Sequence, residues 1–261
     1  MTVLAHDRTG SGPALALIHP LGAHRGVWRP ALPLLREEFD VVAVDMPGFG
    51  DSDDLPEDVP VTAANIAAAV RATLESLGLG HAHVAGISLG GWAALEFGKT
   101  DTALSVTTLC AAGFWRRVLG PRPEIARTTA RRLLPVLRPL VATTRGRRAL
   151  LSGITAHPER VPAEDAYALV RAYARATGFS RANHEMRSDL FRGFEDIRAP
   201  ITMAWADRDR SVYPPDRVPA GVEVRRLRDC GHVPTWDSPE QVAAVIREGA
   251  ARAEEAGRLS A

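Results

Sequence analysis

Paired cysteines are missing from this sequence. The only two, Cys110 in an apolar run and Cys230 in a polar loop, fit reduced thiols and not the bridged framework of a small secreted domain. No paired Cys or His spacing appears, so no metal site is expected. Long hydrophobic runs are missing too: none approaches the roughly 18 residues of a membrane span, and no membrane partner is expected. Residues 1–10 hold no basic segment followed by an apolar stretch, which points to a cytoplasmic chain. Excess charge is absent, with 32 basic residues against 31 acidic ones. A net charge of +1 gives no reason to expect a polyanion, and the arginines lack the interleaved aromatics of a nucleic-acid surface. Neither repeats nor low-complexity linkers are visible, and no pattern reports an oligomeric state.

What is present is a chain of 261 residues, 46% apolar, enough for one large α/β core with an insertion. Residues 14–19 (ALALIH) and 41–44 (VVAV) are short, nearly continuous apolar runs, as central parallel strands require. Further strands are expected at 83–86, 105–110 and 201–206, and residues 222–227 (VEVRRL) alternate like an edge strand. Helices are predicted over 28–38, over 62–77 from the spacing of Ile66, Val70, Leu74 and Leu77, and beyond residue 88 through Trp92, Leu95 and Phe97. A last helix is announced by Ser238 as cap, Pro239 in the first turn and Gln241 three residues on, with fraying expected from Glu254. Strands alternating with helices predict a mostly parallel sheet with right-handed crossovers.

That rhythm stops after Phe114. Residues 115–195 carry Pro121, Pro123, Pro135, Pro139, Pro158 and Pro162, helix-like arginine-rich stretches and no strand pattern. Sixteen Arg against seven Asp plus Glu give this segment +9, while the remainder is 16 minus 24, or −8. Such a shift marks an insertion, so 1–114 and 196–261 are read as the core and 115–195 as a helical subdomain.

In an open parallel sheet, ligands bind at the carboxyl ends of the strands. One such end is Gly86-Ile-Ser88-Leu-Gly90-Gly91, a G-x-S-x-G turn between a buried strand and a helix, which lifts one serine above the sheet edge. Serine is a poor nucleophile at neutral pH and needs a neighbouring base, which in turn needs an acid to orient it. His232, in a late loop, is the candidate base, and Asp207 and Asp209 both follow the strand at 201–206.

The order serine, acid, histidine, with G-x-S-x-G at a strand-to-helix turn, resembles the α/β-hydrolase superfamily. The resemblance also covers His19-Pro-Leu-Gly22, Asp45-Met-Pro-Gly-Phe-Gly-Asp-Ser52, Trp205-Ala-Asp-Arg-Asp209 and Gly231-His-Val-Pro234. It implies an α/β-hydrolase fold, a mostly parallel sheet flanked by helices, with residues 115–195 as its cap. Aligned on the family pattern G-x-x-D-x-x-x-P, Asp209 takes the acid position, although Ala206 replaces the glycine and Pro214 is displaced by one residue. The backbone N–H groups of Leu21 and Leu89 fall where the oxyanion hole forms. Pro20 departs from the usual glycine and stiffens that loop. By the same likeness, His19 braces the loop and Asp45 caps a turn. Trp28, Phe114 and Trp115 are candidates for a substrate pocket, with core packing as the alternative.

These readings converge on a cofactor-independent serine hydrolase acting on a small-molecule ester, lactone or related carbonyl through Ser88, His232 and Asp209. Serine at 88 sets it apart from the branches that attack with a carboxylate, the haloalkane dehalogenases and epoxide hydrolases. Small esterases, enol-lactonases and carbon–carbon bond hydrolases are resembled equally. Lyase or cyclase chemistry on the same triad and a non-catalytic binding protein stay open as alternatives.

Overall fold

The computed structural model describes residues 3–120 and 125–259, so Pro121 and Pro123 lie outside the described residues. Seven strands form one sheet in the order β1-β3-β2-β4-β5-β6-β7. They are β1 (His6–Thr9), β2 (Ala14–Ile18), β3 (Asp40–Val44), β4 (Ala82–Ile87), β5 (Ala103–Leu109), β6 (Ile201–Ala206) and β7 (Glu223–Leu227). All neighbours run parallel except β1, which pairs antiparallel with β3. The sequence reading did not foresee β1, because its four residues, HDRT, are half-exposed and carry no apolar pattern. β7 is the alternating edge strand expected.

Alternate residues of β2 show how the layers are divided. Ala14, Ala16 and Ile18 face one cluster with α2 (Ala63–Ser76) and α3 (Leu89–Gly98), while Leu15 and Leu17 face the other with α8 (Pro239–Leu259). Burial of β2, β3 and β4 on both faces explains their continuous apolar runs. Thr62 caps α2, its hydroxyl accepting from Asn65 N–H at 3.1 Å. The helix expected over 28–38 splits into a 3-10 turn at Arg25–Trp28 and a short α1 (Leu32–Leu35), as Pro30 and Pro33 cannot continue an inherited turn. At α8, the Ser238 hydroxyl accepts from Gln241 N–H at 3.5 Å as a cap, while the Gln241 side chain bonds both the N–H and the carbonyl of Arg228. α8 is helical to Leu259.

Between β5 and β6 come α4 (Ile125–Ala142), α5 (Thr144–Leu151), α6 (Ala163–Arg175) and α7 (Phe179–Ser188), and the described residues of this segment include no strand. Pro135 and Pro139 sit inside α4, both exposed. The helices close over the carboxyl edge of the sheet. Tyr173 and Phe179 crowd Gly22, Gly178 N–H bonds the Gly48 carbonyl at 3.1 Å, and Val233 N–H bonds the Ile154 carbonyl at 2.8 Å.

Candidate active site

Ser88 stands at the turn from β4 into α3 with φ 56° and ψ −117°, a conformation that costs of order 1–3 kcal/mol for a residue with a Cβ. The glycines around it are required by contact. A Cβ at Gly86 would collide with the Gly90 carbonyl, and one at Gly90 would collide with the carbonyls of Ile18 and His19. Backbone bonds fix the turn from both sides: Ser88 N–H donates to Leu109 O, and Ser88 O accepts from Trp92 and Ala112 N–H, all at 3.0 Å. The hydroxyl makes no helix-capping bond, although Ser88 is only 6% exposed.

The close approach of Gly90 to the end of β2 sets the first turn of α3 beside the loop that carries Leu21. Leu89 is buried at the first position of α3, where N–H groups have no intrahelical acceptor. Behind this loop lies fully buried His19. Its Nε2 accepts from Met46 N–H at 2.9 Å, which leaves Nδ1–H to donate to Pro20 O at 2.8 Å. Burial pushes its pKa down to about 4, outweighing the nearby Asp45, so the ring is a neutral brace. Asp45 is committed to the same region: its carboxylate accepts from Arg25 N–H at 2.6 Å and Asp51 N–H at 2.9 Å, and pairs with the Arg25 guanidinium.

The two candidate acids part company after β6. Asp209 Oδ2 accepts from His232 Nδ1 at 2.7 Å, and its Oδ1 accepts from Ser211 N–H at 2.6 Å and Val212 N–H at 3.3 Å. Asp207 turns outward to Arg226, with Nη2 to Oδ2 at 3.4 Å. Burial drives the Asp209 pKa upward, but the hydrogen bond and charge of His232, with the two backbone donors, hold it below the usual carboxylate value. Since an ionised carboxylate only accepts, His232 carries its proton on Nδ1 and leaves Nε2 free to act as a base.

Two residues passed over in the sequence complete the arrangement. Asp237, buried among the last loop's residues, accepts from the N–H groups of Gly231, Ala156 and His157 at 2.8, 2.9 and 2.8 Å, so it ties the His232 loop to the inserted helices. Cys110 ends β5 at φ 49° and is fully buried. Its thiol lies within 4.8 Å of the Asp209 carboxylate and of a His232 ring nitrogen, and burial, followed by the Asp209 charge, pushes its pKa well up. Cys110, Asp209 and His232 are the one trio of ligand-type side chains that converges among the described residues, within 4.8 Å. Two members of the trio are already joined, His232 Nδ1 donating to Asp209 Oδ2.

A cavity of about 460 Å³ opens between the loops that follow β5 and β6, with Ser211 and Val212, whose N–H groups hold Asp209, in its wall; Ser88 and His232 are not among its lining residues. Phe114, Trp115, Leu119, Val212 and Tyr213 line it. Phe114 packs against Phe191, Phe194 and Trp205, and Trp115 meets Trp92 edge-on. Trp28 is elsewhere: fully buried on the opposite face of the sheet, with Leu35 and Val245, it is a core residue.

The sequence model of a family described as "Alpha/beta hydrolase family" matches residues 15–245. The "Putative carbamate hydrolase RutD" of Shigella dysenteriae serotype 1 (strain Sd197) is 28% identical over 211 residues, 77% of this chain and 89% of that protein. Among solved structures, a malate-bound thermophilic esterase from Thermogutta terrifontis is similar with a TM-score of 0.71 and 24% identity, covering 96% of this chain and 93% of that one. The enol-lactonase from Burkholderia xenovorans LB400 is similar with a TM-score of 0.72 and 18% identity, covering 94% and 95%. These two likenesses are of fold.

Proposed function

The chain belongs to the alpha/beta hydrolase family, and on that premise we propose that it cleaves an ester, lactone or related carbonyl substrate by covalent serine catalysis. One observation carries the reading. His232 is held by Asp209 with Nε2 unengaged, on the same edge of the sheet where Ser88 is forced into a strained turn. In the proposed reaction Ser88 Oγ attacks the carbonyl carbon while His232 Nε2 takes its proton, and Asp209 stabilises the imidazolium that forms. The oxyanion is received by the N–H groups of Leu21 and Leu89. His232 then protonates the leaving group, and water, activated by the same histidine, releases the acyl-enzyme.

Residues 115–195 act in this reading as a cap, and the cavity at Phe114 and Trp115 receives the acyl or ring portion of a small substrate. Its volume of about 460 Å³ falls within the usual range of small-molecule clefts. The carbamate in the relative's name is a member of the same carbonyl class. A fluorophosphonate probe provides the test: it should label the wild type and leave Ser88→Ala unlabelled. A folded wild type that resists labelling would sink the proposal.

A further inference from the structure

No helix among the described residues is long and apolar enough to cross a membrane. A helix lying along a membrane surface obeys other requirements, and α4 meets them. Ile125, Leu133, Val136 and Leu140 are exposed by 72, 45, 57 and 43%. At 100° per residue they fall within an arc of about 80°. The helix already buries a separate apolar face through Leu137 and Val141, so the outer stripe is surplus to internal packing. Val118 and Leu119, just upstream, are exposed as well, which places six of the nine exposed large apolar side chains of the described residues between positions 118 and 140. Clustering of this kind marks an interaction surface, whereas scattered exposure does not.

Charge decides what kind of surface. Residues 125–148 contain seven arginines and no Asp or Glu. Arg148 pairs with Glu159, while Arg131, Arg132 and Arg145 make no ion pair or hydrogen bond among the described residues and are exposed. We propose that α4 docks on an anionic lipid bilayer, its outer stripe entering the acyl boundary, Arg132, which stands about 20° from the edge of the stripe on the same wheel, meeting a headgroup phosphate, and the other arginines adding long-range attraction. A second copy of the chain fits less well. A two-fold contact would set the same arginines against one another, and four side chains on one helix fall far short of the roughly 20–30 residues per side of a stable interface.

The test uses the full chain and needs no turnover, so its failure is separable from that of the hydrolase reading; Ser88→Ala should bind as the wild type does. The chain should sediment with vesicles of phosphatidylcholine and phosphatidylglycerol in equal parts, should not with phosphatidylcholine alone, and should be released by high salt. The double variant Leu133→Glu/Val136→Glu, both sites exposed, should lower partitioning by about tenfold or more. Arg132→Gln, which leaves the stripe intact, should weaken binding to the mixed vesicles, and more than Arg131→Gln on the far side of the helix. A wild type that stays in the supernatant with mixed vesicles overturns the proposal, as do glutamate variants that are folded by circular dichroism and sediment unchanged. Dimers in light scattering that the glutamate variants split would also overturn it, assigning the stripe to a second copy.

Discussion

At the carboxyl edge of the sheet, two regions meet that hold their backbones in opposite ways. The core loops are tied by short buried carboxylates that accept from N–H groups: Asp45 in the loop after β3, Asp209 after β6 and Asp237 after β7. The inserted helices are tied by long guanidinium groups that donate to carbonyls. Arg147 reaches Val141 and Ala142 O, Arg181 reaches Leu55 and Pro56 O, and Arg187 reaches Leu119 and Gly120 O. The charge contrast of +9 against −8 is therefore partly a division of labour in satisfying the backbone. Carboxylates with two side-chain torsions fix atoms closely, whereas arginines hold elements in place and still permit adjustment. The first kind of tie suits groups that move protons. The second suits the cover that residues 115–195 form in the proposed function.

Breaking a carboxylate at the chemistry should have the largest effect. Asp209→Asn leaves the shape intact but reverses the hydrogen-bonding preference facing His232 Nδ1, and kcat should fall by about 10²–10⁴-fold. Asp207→Asn should stay within about twofold, because its one ion pair among the described residues is with exposed Arg226. Equal losses in the two variants would remove Asp209 from its assigned place.

Asp237→Ala strikes the same class of tie one step away from the reaction. Three donors, on Gly231, Ala156 and His157, lose their acceptor at once, so unfolding free energy should drop by about 2–4 kcal/mol. Because Gly231 precedes His232, kcat should fall as well, while KM changes less. Asp237→Asn retains one carbonyl acceptor and should lie between alanine and wild type. Urea unfolding combined with steady-state kinetics separates the two effects.

The comparison also shows what could be read from sequence. Ser88 and its glycines were legible because close backbone approach leaves no alternative to glycine at 86 and 90. His232 was legible because few histidines lie at a late strand end. Asp209 and Asp207 are two positions apart in one turn, and only the direction in which that turn sends each carboxylate, to His232 or to Arg226, distinguishes them chemically. Asp237 and Cys110 were invisible for a different reason. Two of the three N–H groups that Asp237 holds lie 80 and 81 positions away, and Cys110 comes within 4.8 Å of a side chain delivered from another strand, so no local pattern records either arrangement. The short helix expected within 28–38, a stretch carrying Pro30 and Pro33, is confined to Leu32–Leu35, and β1 left no signal because an edge strand has little to bury.

Buried histidine chemistry gives a smaller effect spread over pH. His19 is neutral in the folded chain, with a pKa lowered to about 4 from an ordinary 6.5. Between these values the unfolded chain binds the proton and the folded one does not, so stability should fall as pH drops from about 6.5 to about 4, by at most about 1.4 kcal/mol per unit. Asp209 acts in a lower window: its depressed pKa contributes stability above its unfolded value, near 4, and that contribution disappears as pH falls through the folded value. Urea unfolding across this range should show a shallower slope between pH 4 and 6.5 in His19→Gln, on a lower baseline. An unchanged slope would show that His19 is not the titrating group.

The smallest effect is expected from an arginine tie. Arg181 joins α7 to the core by donating to Leu55 O at 2.9 Å and Pro56 O at 2.7 Å. Its guanidinium is partly solvated, so Arg181→Ala should cost only about 1 kcal/mol of stability. The site residues draw none of their hydrogen bonds from α7, and kcat should stay within about twofold of wild type. A looser cover shows instead in substrate capture, with KM rising a few-fold. The pairing with Asp237→Ala is then diagnostic: one variant moves kcat and the other KM. If Arg181→Ala lowered kcat as Asp237→Ala does, the inserted helices would be holding the reacting groups themselves, and the distinction between a fixed edge and an adjustable cover would collapse.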